Sequence, residues 1–160
     1  PSMDIQVSSN LERLLFEISG RDGAAVGVQL DDFRSSGRFR LEPGQRVGLA
    51  DGWSGARFHD DEVLTCIGDE ADRSGIILDP HTAVGVLAAR ACRRDPSIPM
   101  VALATAHPAK FPDAVEAATG KRPALPERLA DLHERSERLT ALPDDLAIVQ
   151  DFVRSCRRGA

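Results

Sequence analysis

Thr105, His107 and Lys110 bring a hydroxyl, an imidazole and an ammonium into the stretch Ala104-Thr105-Ala106-His107-Pro108-Ala109-Lys110-Phe111-Pro112. An imidazole titrates near neutral pH, so it can exchange or orient a proton, and an ammonium holds an anion. A second group, Asp79-Pro80-His81-Thr82, adds a carboxylate and another imidazole. The common enzyme templates are missing. There is no GxGxxG and no Walker sequence to cradle a phosphate. The four histidines have no metal-ligand spacing, and no GxSxG elbow offers a serine nucleophile. Lysine is scarce, with only Lys110 and Lys121 against eighteen arginines.

The elements that must position these groups are legible around them. Met100-Val101-Ala102-Leu103-Ala104 is a short apolar run that ends at Thr105, and Asp113 to Thr119 follows as a helix with Pro112 at its start. Gly75-Ile76-Ile77-Leu78 is a second strand-like run. Asp79 then caps a helix that has Pro80 at its first position and Val84, Leu87, Ala88 and Ala91 on its apolar face. Strand, helix and strand in this order predict an α/β fold with a βαβ unit, its parallel strands near 75–78 and 100–104. The carboxyl ends of both strands then share one edge, so Asp79 and Thr105 converge on one crevice.

The remaining chain supplies mostly helices. Ser8-Ser9-Asn10 caps a helix carrying Leu11, Leu14, Leu15 and Ile18, and Gly20 ends it. Ala24 to Ser35 is helical and stops at Gly37. Residues 38–59 hold five Gly and Pro punctuators and read as a peripheral loop or hairpin, with Trp53 and His59 at the surface. His59-Asp60-Asp61-Glu62 opens a helix through about Arg73. Pro126 to Leu142 predicts a charged, solvated helix that includes His133, and Asp144 caps a final amphipathic helix carrying Leu146, Val149, Phe152 and Val153.

Composition narrows the classes. The 160 residues fit one domain or part of a larger one, and 42% apolar residues with only 4% aromatics imply an aliphatic core. A net charge of −5, scattered in sign, gives no nucleic-acid surface. No run approaches the roughly 20 apolar residues of a membrane span. Cys66, Cys92 and Cys156 are widely spaced and odd in number, which predicts reduced thiols in a cytoplasmic protein. Met3 stands behind two other residues, so the chain is expected to be a piece of a longer protein.

Four motifs carry a specific resemblance. Pro1-Ser2-Met3-Asp4-Ile5, Asn10-Leu11-Glu12-Arg13-Leu14-Leu15, Asp79-Pro80-His81-Thr82-Ala83-Val84 and Thr105-Ala106-His107-Pro108-Ala109-Lys110-Phe111 resemble the carboxy-terminal part of threonine synthase in order and spacing. The resemblance runs over residues 1–160 and is weakest across 38–59. It implies a tryptophan-synthase-β-like (fold type II) enzyme that uses pyridoxal 5'-phosphate (PLP). The family's reaction turns O-phospho-L-homoserine and water into L-threonine and phosphate.

By this resemblance Thr105 matches the residue whose hydroxyl bonds the pyridine nitrogen of the cofactor. Asp79 lines the cofactor crevice as well as capping its helix, and Ser2, Met3 and Asp4 border the active site. Lys110 matches a motif lysine that is not the Schiff-base lysine. That lysine and the Asn/Gly-rich phosphate loop lie upstream of the segment matched, so the chain by itself is expected to be inactive and to need the missing N-terminal part. His81 and His107 keep two readings, as polar groups of the crevice or as hydrogen-bonded structural histidines. The competing reading of the whole is a non-catalytic threonine-synthase-like module that binds a phosphorylated metabolite or a partner chain.

Overall fold

The computed structural model describes residues 8–157. They fall into two compact units, the first ending at Pro123 and the second beginning at Ala124. No helix among them is long and apolar enough to cross a membrane.

The core of the first unit is laid on one helix. α4 (Asp60–Ser74) opens with the His59 backbone N–H donating to the Glu62 carboxylate at 2.8 Å. Three acids in its first turn suit the positive end of the helix dipole. Gly75, at φ 73°, closes it in the left-handed conformation that favours glycine. Val63, Cys66, Ile67 and Glu70 recur at helical spacing on its buried face. Ala83 of α5 (Pro80–Cys92) joins that cluster, with Phe58, Leu78, Val84, Leu87 and Ala118 around it. Burying one large aliphatic side chain such as Ile67 contributes about 1.5–3 kcal/mol. α6 (Pro112–Thr119) packs against α4 as well, with Val115 fully buried. Gly68 makes that approach possible, because a Cβ built there would lie 2.9 Å from the Ala118 carbonyl oxygen.

A second group of three helices precedes it. α1 (Ser9–Ile18) buries Leu15, and α2 (Gly23–Ser36) buries Val26 and starts with Asp22 accepting from the Ala24 and Ala25 N–H groups. α3 (Pro43–Ala50) lies within the stretch that the sequence marks as a peripheral loop or hairpin, so that expectation is corrected. Pro43 is tolerated because it stands in the first turn, where its missing N–H has no intrahelical partner. The punctuators therefore start the helix and leave its interior to Gly48, where an added Cβ would lie 3.4 Å from the Ile18 side chain. Gln45 locks the three helices together. Its amide pairs reciprocally with Gln29 at 2.9 Å, donates to the Ser19 hydroxyl at 2.7 Å and accepts from the Glu42 N–H at 2.8 Å.

Three further expectations differ. Neither 75–78 nor 100–104 is a β-strand, so the described residues contain no βαβ unit. A strand exists only as a member of a hydrogen-bonded ladder, and these two runs form none with each other. The long charged helix over 126–142 is also missing. Only the 3₁₀ turns Glu127–Leu129 and Leu132–Glu134 form there. Leu132 and Leu139 stay 43% and 87% exposed, so the leucine stripe has nothing to pack on, and packing rather than propensity stabilises most helices. α7 (Leu146–Arg157) forms as expected, but its cap is Asp145 rather than Asp144, accepting from the Ala147 and Ile148 N–H groups at 2.8 and 3.1 Å. The expectations for residues 1–7 and 158–160 lie outside the described residues.

Candidate functional site

Asp79 organises the site. It follows Leu78, which is tucked against the core, and its extended backbone (φ −84°, ψ 162°) makes it the N-cap of α5. Only 1% of the residue is exposed, so its carboxylate must find its partners inside the protein. Oδ1 accepts from the His81 backbone N–H at 2.9 Å and stands 3.2 Å from His81 Nδ1. Oδ2 accepts from the Thr82 hydroxyl. A helix cap needs only the first of these bonds; the other two bind side chains.

Thr82 extends the arrangement to the second motif. It is 5% exposed, and its Oγ1 accepts from the Thr105 backbone N–H at 3.3 Å. One hydroxyl thus donates to Asp79 and accepts from Thr105, using both capacities of its oxygen. Thr105 itself is exposed, and among the described residues its own hydroxyl makes no hydrogen bond. The backbone is held while the side chain is exposed.

The rest of the loop is shaped by local bonds. His107 Nδ1 accepts from the Ala109 N–H at 3.1 Å, starting the 3₁₀ turn Pro108–Lys110. Phe111 then lies against His81, with ring centroids 4.8 Å apart and planes inclined at 47°. Lys110 is exposed, with Nζ 5.9 Å from the Phe111 centroid, a weak cation–π placement.

Behind α5 sits a charged cluster. The Glu70 side chain is only 9% exposed and bonds both Arg73 and Arg90. Those two guanidinium groups, Arg73 first, hold its carboxyl below the usual carboxylate range. A cavity of about 250 Å³ opens beside it, lined by Arg93, Met100 and Ala102 among others. Burial, the largest influence, pushes the Cys66 thiol up, which suits a packing residue better than a nucleophile.

Of the residues nominated by sequence, Asp79, His81 and Thr105 are brought together and Lys110 stands at the rim of the same loop. His107 is occupied as a turn cap, and Ser2, Met3 and Asp4 lie outside the described residues. Thr82 and Phe111 were not singled out. The signal for Thr82 was its position three residues after a capping Asp, where a hydroxyl can turn back on the carboxylate.

Comparison with known proteins gives this geometry a context. The family described as threonine synthase, C-terminal, matches residues 82–153. The threonine synthase of Pseudomonas aeruginosa is 53% identical over 154 residues, covering 96% of this chain and 33% of that protein. That of Corynebacterium glutamicum is 36% identical over 160 residues, covering 96% and 32%. A PLP-bound threonine synthase from Brucella melitensis superposes with a TM-score of 0.76 at 47% identity, over 97% of this chain and 33% of that one. The chain spans about a third of the length of the relatives it matches. With 53% identity sustained across nearly all of its length, this chain belongs to the threonine synthase family.

Proposed function

We propose that the complete protein carrying this chain converts O-phospho-L-homoserine and water into L-threonine and phosphate with PLP, and that this chain forms the pocket wall facing the pyridine nitrogen. The observation that carries the reading is the free hydroxyl of Thr105 on a backbone pinned by Thr82. That donor set fits the group: a pyridine nitrogen needs one hydrogen-bonding partner in its plane, and Thr105 offers one with no competing bond. When bound, PLP supplies an electron sink for carbon-acid chemistry. Thr105 orients the ring, and a neutral hydroxyl does not hold the ring nitrogen protonated as a carboxylate would. Asp79 acts through Thr82, keeping the loop at a fixed distance from α5. Lys110 stays an electrostatic residue of the rim, and the anchoring lysine is expected in the part of the family's length that this chain does not cover.

The same reading gives the two apolar runs a purpose. Ile76, Met100, Val101 and Leu103 are between 49% and 79% exposed, which fits strands awaiting neighbours in the tryptophan-synthase-β-like sheet. Residues 1–160 would then be the carboxy-terminal portion of one PLP domain, with 126–160 as its terminal segment. Free thiols at Cys66, Cys92 and Cys156 support a cytoplasmic setting.

The test is Thr105→Val in the complete protein. It keeps the shape and removes the hydrogen bond. PLP affinity, read by absorbance and fluorescence, is expected to fall about tenfold, the equivalent of one such bond. Phosphate release from O-phosphohomoserine should fall with it. Unchanged affinity and rate would remove Thr105 from the site, and wild-type protein that releases no phosphate would favour a non-catalytic binding module.

A further inference from the structure

We propose that His81 is a proton-carrying residue of this pocket, positioned by Asp79. The proposal rests on the function argued above and adds to it a group that moves protons on oxygen.

The geometry begins with a buried acid that does more than cap. The Asp79 side chain is fully buried, and its Oδ1 lies 3.2 Å from His81 Nδ1. A carboxylate beside one ring nitrogen fixes the tautomer: Nδ1 carries the hydrogen and Nε2 keeps its lone pair. Among the described residues Nε2 makes no hydrogen bond, and the side chain remains 28% exposed. Phe111 packs against the ring at 4.8 Å, tilted by 47°. The charged group in contact with it is Asp79 at the start of its own helix, and Lys110 follows on the loop that carries Phe111, with Nζ 5.9 Å from the Phe111 ring centroid. Here one nitrogen is held by Asp79 while the other makes no bond among the described residues, next to Thr82, whose hydroxyl holds the Thr105 backbone.

The proposed reaction has work for such a group, because a phosphate oxygen leaves and a water adds. The carbon–oxygen bond to phosphate breaks with its electron pair on the departing oxygen, and the imidazolium form donates its Nε2 proton to that oxygen: the N–H bond breaks, the O–H bond forms, and the pair left on Nε2 makes the ring neutral. Neutral Nε2 then takes a proton from the adding water, whose oxygen keeps the electron pair for its new bond to carbon. The ring returns to its starting charge, with Asp79 holding its Nδ1 side, and no oxidant or further reactant is needed.

Two measurements on the complete protein test this. The first is ¹⁵N NMR of the histidine ring, which reads the tautomer independently of turnover. In the wild type the neutral form of His81, read above its titration, is expected to carry its proton on Nδ1, and Asp79→Asn should shift the population of that form towards Nε2–H. A neutral ring protonated on Nε2 in the wild type overturns the proposal. The second is the pH profile of kcat/KM for His81→Gln. The rate is expected to fall 10²–10⁴-fold, the range for a positioned acid–base group. PLP content should be retained and the limb assigned to His81 lost. A small rate loss, or a large one with the wild-type profile intact, marks a structural histidine and overturns the proposal. Thr105→Val assayed in parallel separates the cases, since it reports on the PLP wall whether or not His81 carries a proton.

Discussion

The buried carboxylate of Asp79 reaches the backbone N–H of Thr105 through a single hydroxyl, that of Thr82. This relay ties the first turn of α5 to a loop far away in sequence, and it does so from inside the protein, where a hydrogen bond is hard to replace by water. It leaves the Thr105 side chain as the adjustable end of an otherwise fixed path.

Thr82→Val should break both bonds at once and leave Asp79 Oδ2 without its partner. The expected loss of stability is about 1–3 kcal/mol, the cost of an unsatisfied buried acceptor. PLP binding should weaken although the Thr105 hydroxyl is intact. Thr82→Ser keeps the hydroxyl and should restore most of both. Urea denaturation together with PLP titration of the complete protein checks this, and equal behaviour of the valine and serine variants would show that the relay does not position the loop.

Gly68→Ala sets two effects against each other. Replacing glycine inside a helix ordinarily stabilises by roughly 0.5–1 kcal/mol. Here the new methyl would meet the Ala118 carbonyl oxygen at 2.9 Å, a backbone atom that cannot rotate away. Overpacking of this kind costs about 1–3 kcal/mol, so a net loss is expected, read as a lower Tm. A higher Tm would mean that α4 and α6 can part without cost.

Glu70 should make stability depend on acid pH. Its carboxyl is held low by hydrogen bonds from Arg73 and then Arg90, so the folded state binds its proton less readily than the unfolded state. The contribution is complete above the ordinary glutamate range, and it is lost as pH falls through the lowered folded value. Glu70→Gln should flatten the acid side of a stability-against-pH curve from denaturant melts. A curve with the wild-type slope would assign that slope to other carboxylates.

Local chemistry was the most legible part of the chain. Asp79 with Pro80 announced α5, Gly37 announced the end of α2, and the acids after His59 announced α4, because caps and dipoles act within one turn. What depends on distant packing was harder to read. The α3 helix stood among glycines and a proline, and its stability comes from Gln45 reaching two other helices, which no local window contains. The 126–142 stripe had helical spacing without a surface to bury it. The runs at 75–78 and 100–104 have strand-like sequences, but a ladder needs a second strand. At the site the sequence marked Asp79, His81 and Thr105 together, whereas the role of Thr82 is a matter of which way one hydroxyl turns.

The run from Met100 to Ala104 carries no charge and no proline, and among the described residues its backbone groups make no hydrogen bond. Such a segment does not choose its partner: any other extended chain satisfies it equally well, including a second molecule of the same sequence. Left uncovered at high concentration, it is a template for aggregation. Charged neighbours on either side, Arg93 and Arg94 before it and Lys110 after it, act as gatekeepers only at a distance. Rapid covering of this run during folding is therefore a condition for recovering the protein in dispersed form.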